Sequence, residues 1–322
     1  MNMKKFFYLL LSATLFACCS QEDPGVVPDA PDRGEAKYHT VTFDLQGELA
    51  DVGTEEEPLT KAGGGDDIYV VTVHSKDSTQ SNYYGQYAYG VFDSKEGMSL
   101  KLKEGLLYRF EVTVIKNGKN NLYWTSDTTF YWGTSQNSKF RNRFTLGGWY
   151  NDHYDAYQAM MCYKSTDGSV GYHGCAPLDR YYGELTDYEP VEGGKVSVYL
   201  YRVVFAARVK VTGLTSGRLE VSMSRCPRIV MTADSVYTHE GLYQMYYLGN
   251  MMDCVAKGEP LEELMSMTVK WYSGVGDEHL DIYNDNFTVT RLKRTTININ
   301  LSQKAPVKST GAVTFTEENI NE

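Results

Sequence analysis

The chain has 322 residues, of which 41 are acidic, 31 are Lys or Arg, and 42% are hydrophobic. This balance is typical of a protein that folds around hydrophobic cores, and the length predicts two domains. The net charge of −10 argues against nucleic acid as a partner, because binding phosphate groups requires clustered Lys and Arg.

The amino terminus resembles a bacterial lipoprotein signal. Two lysines precede the apolar run 6–16, which is too short to cross a bilayer as a helix. The tetrapeptide 15–18, Leu-Phe-Ala-Cys, resembles a lipobox, so residues 1–17 are predicted to be a signal peptide and Cys18 the lipidated first residue of the mature chain. Acyl chains such as palmitate would hold Cys18 at the outer membrane or cell surface. A plain signal peptide that leaves the cysteine unmodified is the alternative.

Residues 18–37 are rich in Asp, Pro, Glu and Gly and are predicted to form a flexible acidic tether. The segment 39–46 alternates apolar and polar residues, which is the period of a half-buried strand. Three consecutive glycines in segment 50–67 predict a loop. A strand is therefore expected to lie isolated between two segments that a protease can cut.

The rest of the chain predicts many strands, since 26 Tyr and 29 Gly beside 9 Pro favour strands and turns over helices. The polar segment 181–194 is interpreted as the junction between an N-terminal domain, 38–192, and a C-terminal domain, 193–322. One short helix is predicted at 152–163. Several short strands at such spacing predict antiparallel β-sandwiches. The predicted strands are 68–74, 84–92, 98–103, 106–116, 140–146, 195–211 with a break at 203–207, 219–223, 229–232, 265–271, 287–292, 296–301 and 311–316.

Motifs for catalysis, metals and cofactors are missing from the sequence. The six His are scattered, with no His-Glu-x-x-His pair and no Cys-x-x-Cys. There is also no nucleophile elbow, Walker loop or dinucleotide fingerprint. The sequence therefore predicts neither an enzyme nor a metal or cofactor site.

Four cysteines lie beyond the amino terminus: Cys162, Cys175, Cys226 and Cys254. They allow three full connectivities. Pairing Cys162 with Cys175 and Cys226 with Cys254 would keep each disulfide within one domain. Buried free thiols are the alternative.

Aromatic residues offer a second interpretation of function. Trp124 and Trp132 lie close together in the chain and would suit a platform on which sugars stack, as in a cell-surface glycan-binding lipoprotein. In sheets, however, aromatic side chains more often pack in the core or across strands.

Several features coincide along the chain: the lipobox, the acidic tether, the early strand, the loop 58–62 (Pro-Leu-Thr-Lys-Ala), the strand 67–75, the segment 87–93 (Tyr-Ala-Tyr-Gly-Val-Phe-Asp) and the run from 182–184 (Tyr-Gly-Glu) into 196–211. Together they resemble the fimbrillin family of type V pili, as a pilus subunit or a pilus-associated lipoprotein. The resemblance extends over nearly the whole chain and rests on patterns of strands. It implies an all-β protein with two tandem transthyretin-like antiparallel β-sandwich domains, assembled by donor-strand exchange.

The resemblance also implies how the chain would assemble. Proteolysis would remove the first strand with Val41, Phe43 and Leu45, and the exposed sheet edge would accept a strand from a neighbouring subunit. The tail around Val313 and Phe315 is a candidate donor. The implied partners are other pilus subunits, the outer membrane through the lipid, and an adhesion ligand on a host or bacterial surface.

Cleavage in this family typically follows a basic residue, preferably Arg. Here Lys61 lies after the first strand and Arg33 before it, and only cutting at Lys61 would separate the strand from the body. The departure from Arg keeps an uncleaved role open, as an anchor or at a pilus tip.

Overall fold

The computed structural model describes residues 36–48, 66–79, 83–121, 142–147, 161–164, 170–233, 237–274, 276–302 and 313–320. These residues form eighteen strands and two short helices, which confirms the predicted all-β fold. All of these strands and helices belong to the compact unit formed by Tyr38–Glu322.

The elements of the first half are β1 (Tyr38–Gly47), β2 (Ile68–Asp77), β3 (Gly85–Phe92), β4 (Ser99–Lys103), β5 (Leu106–Ile115), α1 (Gly118–Asn121), β6 (Phe144–Leu146), β7 (Met161–Lys164), β8 (Val170–His173), β9 (Arg180–Tyr188) and β10 (Lys195–Arg202). Those of the second half are β11 (Val204–Thr212), β12 (Arg218–Met223), β13 (Ile229–Thr232), β14 (Thr238–Gln244), α2 (Met251–Lys257), β15 (Glu262–Tyr272), β16 (Leu280–Thr290), β17 (Lys293–Asn300) and β18 (Val313–Asn319).

The strands of the first half form a sheet of order β4-β1-β10-β9-β5-β2-β3-β6, while β7 and β8 pair separately. Strand β10 joins β9 through two residue pairs near its end. Side chains from β1, β4 and β10, namely Val41, Leu100 and Val196, share one hydrophobic core with Val71 of β2 and Val112 of β5. The two ends of the sheet therefore enclose a core between them, as in a sandwich.

Two four-stranded sheets form the second half, in the orders β14-β11-β17-β18 and β13-β12-β15-β16. Phe205 of β11 and Ile297 of β17 share a core with Val221 of β12 and Met267 of β15. This core is also built from alternating inward-facing residues of two sheets.

The chain passes from the first core to the second at Val203. Leu200 of β10 lies in the first core and Phe205 of β11 in the second, and the Val203 N–H donates to the Arg180 carbonyl at 2.7 Å. The predicted break in alternation at 203–207 coincides with this crossing. Strand β10, which follows the predicted division between residues 192 and 193, extends the first sheet.

The segment 181–194, interpreted from the sequence as a polar junction, largely forms strand β9. Tyr181 packs in the first core and Tyr182 in the second. Because successive side chains of a strand point to opposite faces, both faces of β9 are covered. The interpretation of 181–194 as a polar junction therefore did not predict this buried strand.

Further elements differ from the sequence predictions. The prediction of a helix at 152–163 is wrong for residues 161–163, which belong to strand β7. Residues 152–160 lie outside the described residues. Strands β8 and β14 and helices α1 and α2 were not predicted. Helix α2 ends at Gly258, whose φ of 67° is the left-handed conformation that glycine adopts without steric cost.

Candidate functional site

The first strand supplies apolar side chains to the first core. Val41 is fully buried, and Phe43 and Leu45 are partly buried and pack against the same cluster. Strand β1 exceeds the predicted segment 39–46 by one residue at each end, so the prediction of this strand is confirmed.

Phe43 makes the aromatic contacts of β1. Its ring centroid lies 5.6 Å from that of Phe110 in β5, with the planes at 81°, and 5.4 Å from that of Phe144 in β6, with the planes at 22°. Edge-to-face and stacked pairs of this kind each stabilise by about 0.5–1.5 kcal/mol beyond area burial. Phe43 therefore connects β1 to the opposite side of the core.

The backbone of β1 pairs with two neighbours in succession. Residues 38–42 pair with β4 in antiparallel orientation, and residues 42–47 pair with β10 in parallel orientation. Thr42 alone has register partners in both strands. The strand at the edge of this sheet is β4, so removing β1 would expose the facing edges of β4 and β10 rather than a single outer edge. Its removal would leave a slot between β4 and β10.

An imidazole between two carboxylates lies near the beginning of β1. His39 is buried, with Nε2 3.2 Å from Glu104 Oε2 and Nδ1 3.3 Å from Glu192 Oε2. Glu104 lies between β4 and β5, and Glu192 lies between β9 and β10. Both ring nitrogens of His39 therefore lie within hydrogen-bonding distance of a carboxylate, which connects the beginning of β1 to both neighbouring parts of the sheet.

A second polar site lies directly after β1, at Glu48. Nη2 of Arg291 lies 2.8 Å from each carboxylate oxygen of Glu48, and the backbone N–H of Arg202 donates to Glu48 Oε2 at 2.6 Å. The Glu48 N–H donates to the Leu200 carbonyl at 3.0 Å. Arg291 lies between β16 and β17, so this site connects the end of β1 to the second half of the chain.

The candidate donor tail is docked in its own sheet as β18. It pairs with β17 in antiparallel orientation and lies at the edge of its sheet. Val313 is buried, and the ring of Phe315 stacks on Phe287 at 5.4 Å and meets Tyr283 at 5.7 Å. The same residues that would fill a neighbour's slot therefore complete the core of the second half.

Four charged side chains join β18 to the other strands of its sheet. Arg208 contacts Glu240 at 2.8 Å and Glu318 at 3.3 Å, and Arg294 contacts Glu240 at 2.7 Å and Glu318 at 3.0 Å. The hydrogen bond that Arg208 donates to Glu240 raises the pKa of Arg208. Partial burial opposes ionisation of Glu240, but the two guanidinium groups bring its pKa below the usual value. We name these four residues the charge ring.

The cysteines do not form the pairs considered from the sequence. Cys175, Cys226 and Cys254 are buried free thiols, so the Cys226–Cys254 disulfide is absent. Burial raises the pKa of the Cys226 thiol, and its neighbour Cys175 adds to the shift. The side chain of Cys162 is not among those described.

Several residues singled out from the sequence lie outside the described residues: Cys18, Arg33, Lys61, Trp124 and Trp132. Within the described ranges, no group of three or more His, Cys, Asp or Glu is arranged to hold a metal ion. Of the two helices that the structure describes, neither has the length and apolar character required to span a membrane.

The sequence predicted no role for His39, Glu48 or Arg291. Each is an ordinary polar residue at the end of a strand, and its partners lie far away in the chain. The only sequence pattern near this site is the alternation of apolar and polar residues in β1. That pattern identifies the apolar residues of the strand and not its polar contacts.

Three solved structures illustrate what the chain is similar to. A candidate cell adhesion protein from Bacteroides eggerthii DSM 20697 is 10% identical, with 88% of this chain and 95% of that chain covered and a TM-score of 0.36. A fimbrial assembly protein from Parabacteroides distasonis ATCC 8503 is 12% identical, with 89% and 96% covered and a TM-score of 0.31. The fimbrial anchor protein Mfa2 from Porphyromonas gingivalis is 10% identical, with 81% and 91% covered and a TM-score of 0.31. No family model matches the chain, and no curated protein matches its sequence.

Proposed function

We propose that this chain is a non-enzymatic component of a fimbria, a structural subunit or an anchor, which supports adhesion at the cell surface and assembles by donor-strand exchange. The observation that carries the proposal is the position of β1. This strand fills a slot between β4 and β10, and the segment that joins it to β2 contains Lys61 and the glycine run 63–65.

Cleavage at Lys61 would cut the covalent link between β1 and the body of the protein. The new amino-terminal end of the cleaved protein would stay held in place near β2. There the Asp67 carboxylate accepts hydrogen bonds from Lys116 Nζ at 2.8 Å and from the Asn117 N–H at 2.9 Å. Cleavage at Arg33 would leave β1 joined to the body. Lys61 is therefore the cut that the mechanism requires.

An empty slot would destabilise its neighbours. Among the described strands, β4 pairs with β1 alone, so loss of β1 would leave β4 without a partner in the sheet. Unpaired strand backbone and vacated apolar pockets favour uptake of another strand. The new strand must place apolar residues at alternate positions, as Val41, Phe43 and Leu45 do.

The tail of a second copy meets this requirement. The tripeptide 313–315, Val-Thr-Phe, is identical to the tripeptide 41–43 in β1. In both strands the Val and the Phe face a hydrophobic core and the Thr between them is exposed. Strand β18 is therefore our proposed donor, with other subunits of the same fimbria as partners.

Cleavage would also determine whether the chain acts as a polymerising subunit or as a membrane anchor. Lipidation at Cys18 would anchor the tether 18–37, which is continuous with β1. A chain cut at Lys61 would lose its lipid together with β1 and become a polymerising subunit, whereas an uncut chain would stay at the outer membrane as an anchor.

The test uses the full chain with a site for a sequence-specific protease introduced around Lys61. After cleavage, a fluorescent peptide of residues 309–322 is added, and its binding and the release of β1 are followed by anisotropy and mass spectrometry. We expect one peptide to replace one β1. A peptide with Phe315→Ser should bind poorly, whereas a Thr314→Ser peptide should bind like the unaltered one. Retention of β1 with no peptide uptake would contradict the proposal.

A further inference from the structure

Glu48 contacts groups of the body that lie beyond the end of the slot. Its carboxylate accepts hydrogen bonds from Nη2 of Arg291, at 2.8 Å to each oxygen, and from the backbone N–H of Arg202 at 2.6 Å. Both donors would stay with the body after β1 leaves, and we name them the donor pair. A hydrogen bond to an ionised acceptor is about twice as strong as one between neutral groups.

Contacts within the body, separate from those to Glu48, position the donor pair. The Nε of Arg291 donates to the Arg202 carbonyl at 2.7 Å, and its backbone N–H donates to the Leu261 carbonyl at 2.9 Å. The Arg291 guanidinium also lies 5.8 Å from the centre of the Tyr201 ring. The donor pair is therefore held in place by residues that do not belong to the departing strand.

Gly47 determines how the chain reaches the donor pair. It is the last residue of β1, lies opposite Leu200 of β10, and has a φ of 106°, a conformation that residues with a side chain rarely adopt. A Cβ at this position would lie 2.5 Å from the Leu200 carbonyl oxygen and 2.8 Å from the Leu200 nitrogen. Because both contacts are with the backbone of β10, rotating a side chain cannot relieve them. Only glycine can therefore follow this path into Glu48.

We propose that Gly47 and Glu48 are specificity-determining residues of the strand exchange: they give the chain's own first strand access to the donor pair and exclude the tail of a second copy from it. The inference rests on the proposed function. It adds that β1 is held by contacts that the replacing strand cannot form.

The tail lacks a glycine where this path requires one. Residues 313–322 contain none, and Gly311 lies before Val313. A glycine therefore precedes the apolar residues of the tail, whereas Gly47 follows those of β1.

Two registers would place Phe315 in the slot, either where Phe43 lies or where the second residue after it lies. The residue that reaches the level of Gly47 is then Asn319 or Glu317, respectively. In either register its Cβ would meet the backbone of β10. The tail must therefore leave the sheet before this level, and the donor pair stays without a carboxylate from the tail.

This difference makes β1 the stronger of two competitors for the slot. Apolar residues at alternate positions are common to both strands, but only β1 adds the ionised contacts of Glu48. Differences in contacts between related complexes act mainly on the rate of dissociation. After a cut at Lys61, β1 should therefore leave slowly, which keeps the slot covered until a donor strand is present.

The first test follows the release of β1 from the full chain after cleavage at the protease site introduced around Lys61. A fluorophore on the cleaved fragment reports its dissociation by anisotropy, and an excess of unlabelled peptide of residues 36–50 prevents rebinding. We expect Gly47→Ala to speed release about tenfold, through backbone strain, and Glu48→Gln about fivefold, through loss of the ionised acceptor. Gln46→Ala is the matched control at an exposed neighbouring position and should change the rate by less than about twofold.

A double variant distinguishes this mechanism from a general loss of stability. If Gly47 acts by bringing Glu48 to the donor pair, the combination of Gly47→Ala with Glu48→Gln should release β1 no faster than Gly47→Ala alone. Should the Gly47→Ala chain fail to fold, the same single and double substitutions are made in peptides of residues 36–50. Their binding to the cleaved, otherwise unaltered chain should then fall in the same order.

A further variant supplies the tail with the missing glycine. Glu317→Gly places a glycine directly before Glu318, at the same spacing after an apolar residue as in β1. A fluorescent peptide of residues 309–322 with this change should bind the cleaved chain about fivefold more tightly than the unaltered peptide. Glu317→Ala is the matched control, because it removes the same charge without permitting a positive φ, and it should bring no such gain.

The outcomes separate the inference from the proposed function. Unchanged release of β1 in both Gly47→Ala and Glu48→Gln, or equal binding of the Glu317→Gly and Glu317→Ala peptides, would overturn the inference and leave donor-strand exchange standing. Failure of every tail peptide to bind would overturn the proposed function instead.

Discussion

Asp67 and Lys116 form an ion pair at 2.8 Å between two side chains that are 8% and 12% exposed. Asp67 lies at the beginning of β2, directly after the segment that contains Lys61, and it also accepts the Asn117 N–H. This pair anchors the point at which the body of the protein would begin after cleavage.

Replacing Asp67 should therefore destabilise the first half of the chain. Asp67→Ala leaves the partly buried Lys116 ammonium without this partner. Breaking a fully buried pair costs about 3–5 kcal/mol, so we expect a loss of about 2–3 kcal/mol here. Urea unfolding measures the loss. Glu96→Gln, in an exposed turn, is the control and should change stability by less than about 0.5 kcal/mol. A similar small effect for both variants would contradict the anchoring role.

Phe43→Ala should weaken the docking of β1. A buried Phe→Ala change costs about 3–5 kcal/mol, and because Phe43 is partly exposed we expect a loss of about 2 kcal/mol in the free energy of unfolding. The matched control is Thr40→Ala, on the exposed face of the same strand. Equal losses for both variants would show that the contacts with Phe110 and Phe144 contribute little.

Stability should fall in acid partly through Glu240 of the charge ring. Its folded-state pKa lies below the usual value of 4.5, so its contribution is complete above that value and is lost as the pH falls through the folded pKa. Glu240→Gln should remove this part of the pH dependence, as measured by urea unfolding at a series of pH values. Glu259→Gln, an exposed control, should keep the wild-type profile. An unchanged acid profile in Glu240→Gln would contradict the prediction.

The buried cysteines should resist alkylation in the native protein. The thiolate is the reactive form, and burial raises the pKa of Cys226 while Cys175 and Cys254 are also buried. Peptide mass spectrometry after iodoacetamide treatment should show at least tenfold slower labelling of these three residues than in urea. Rapid native labelling, or a peptide mass lower by two hydrogens, would contradict the free, buried thiols.

Much of the site's local structure could be predicted from the sequence. The alternation of Val41, Phe43 and Leu45 predicted β1 to within one residue at each end, because the period of a half-buried strand is visible in adjacent residues. The same logic missed β9, where Tyr181 and Tyr182 are both buried in different cores. A strand covered on both faces loses the alternation that marks it.

The sequence by itself determined that a strand with one apolar face precedes a glycine-rich segment, because both properties belong to neighbouring residues. Only the tertiary structure decided that this strand lies between β4 and β10, leaving a slot when removed, and that its end meets Arg291. Glu48 and Arg291 are separated by 243 positions in the chain. No local pattern encodes such a contact, because it depends on how two distant parts of the chain pack together.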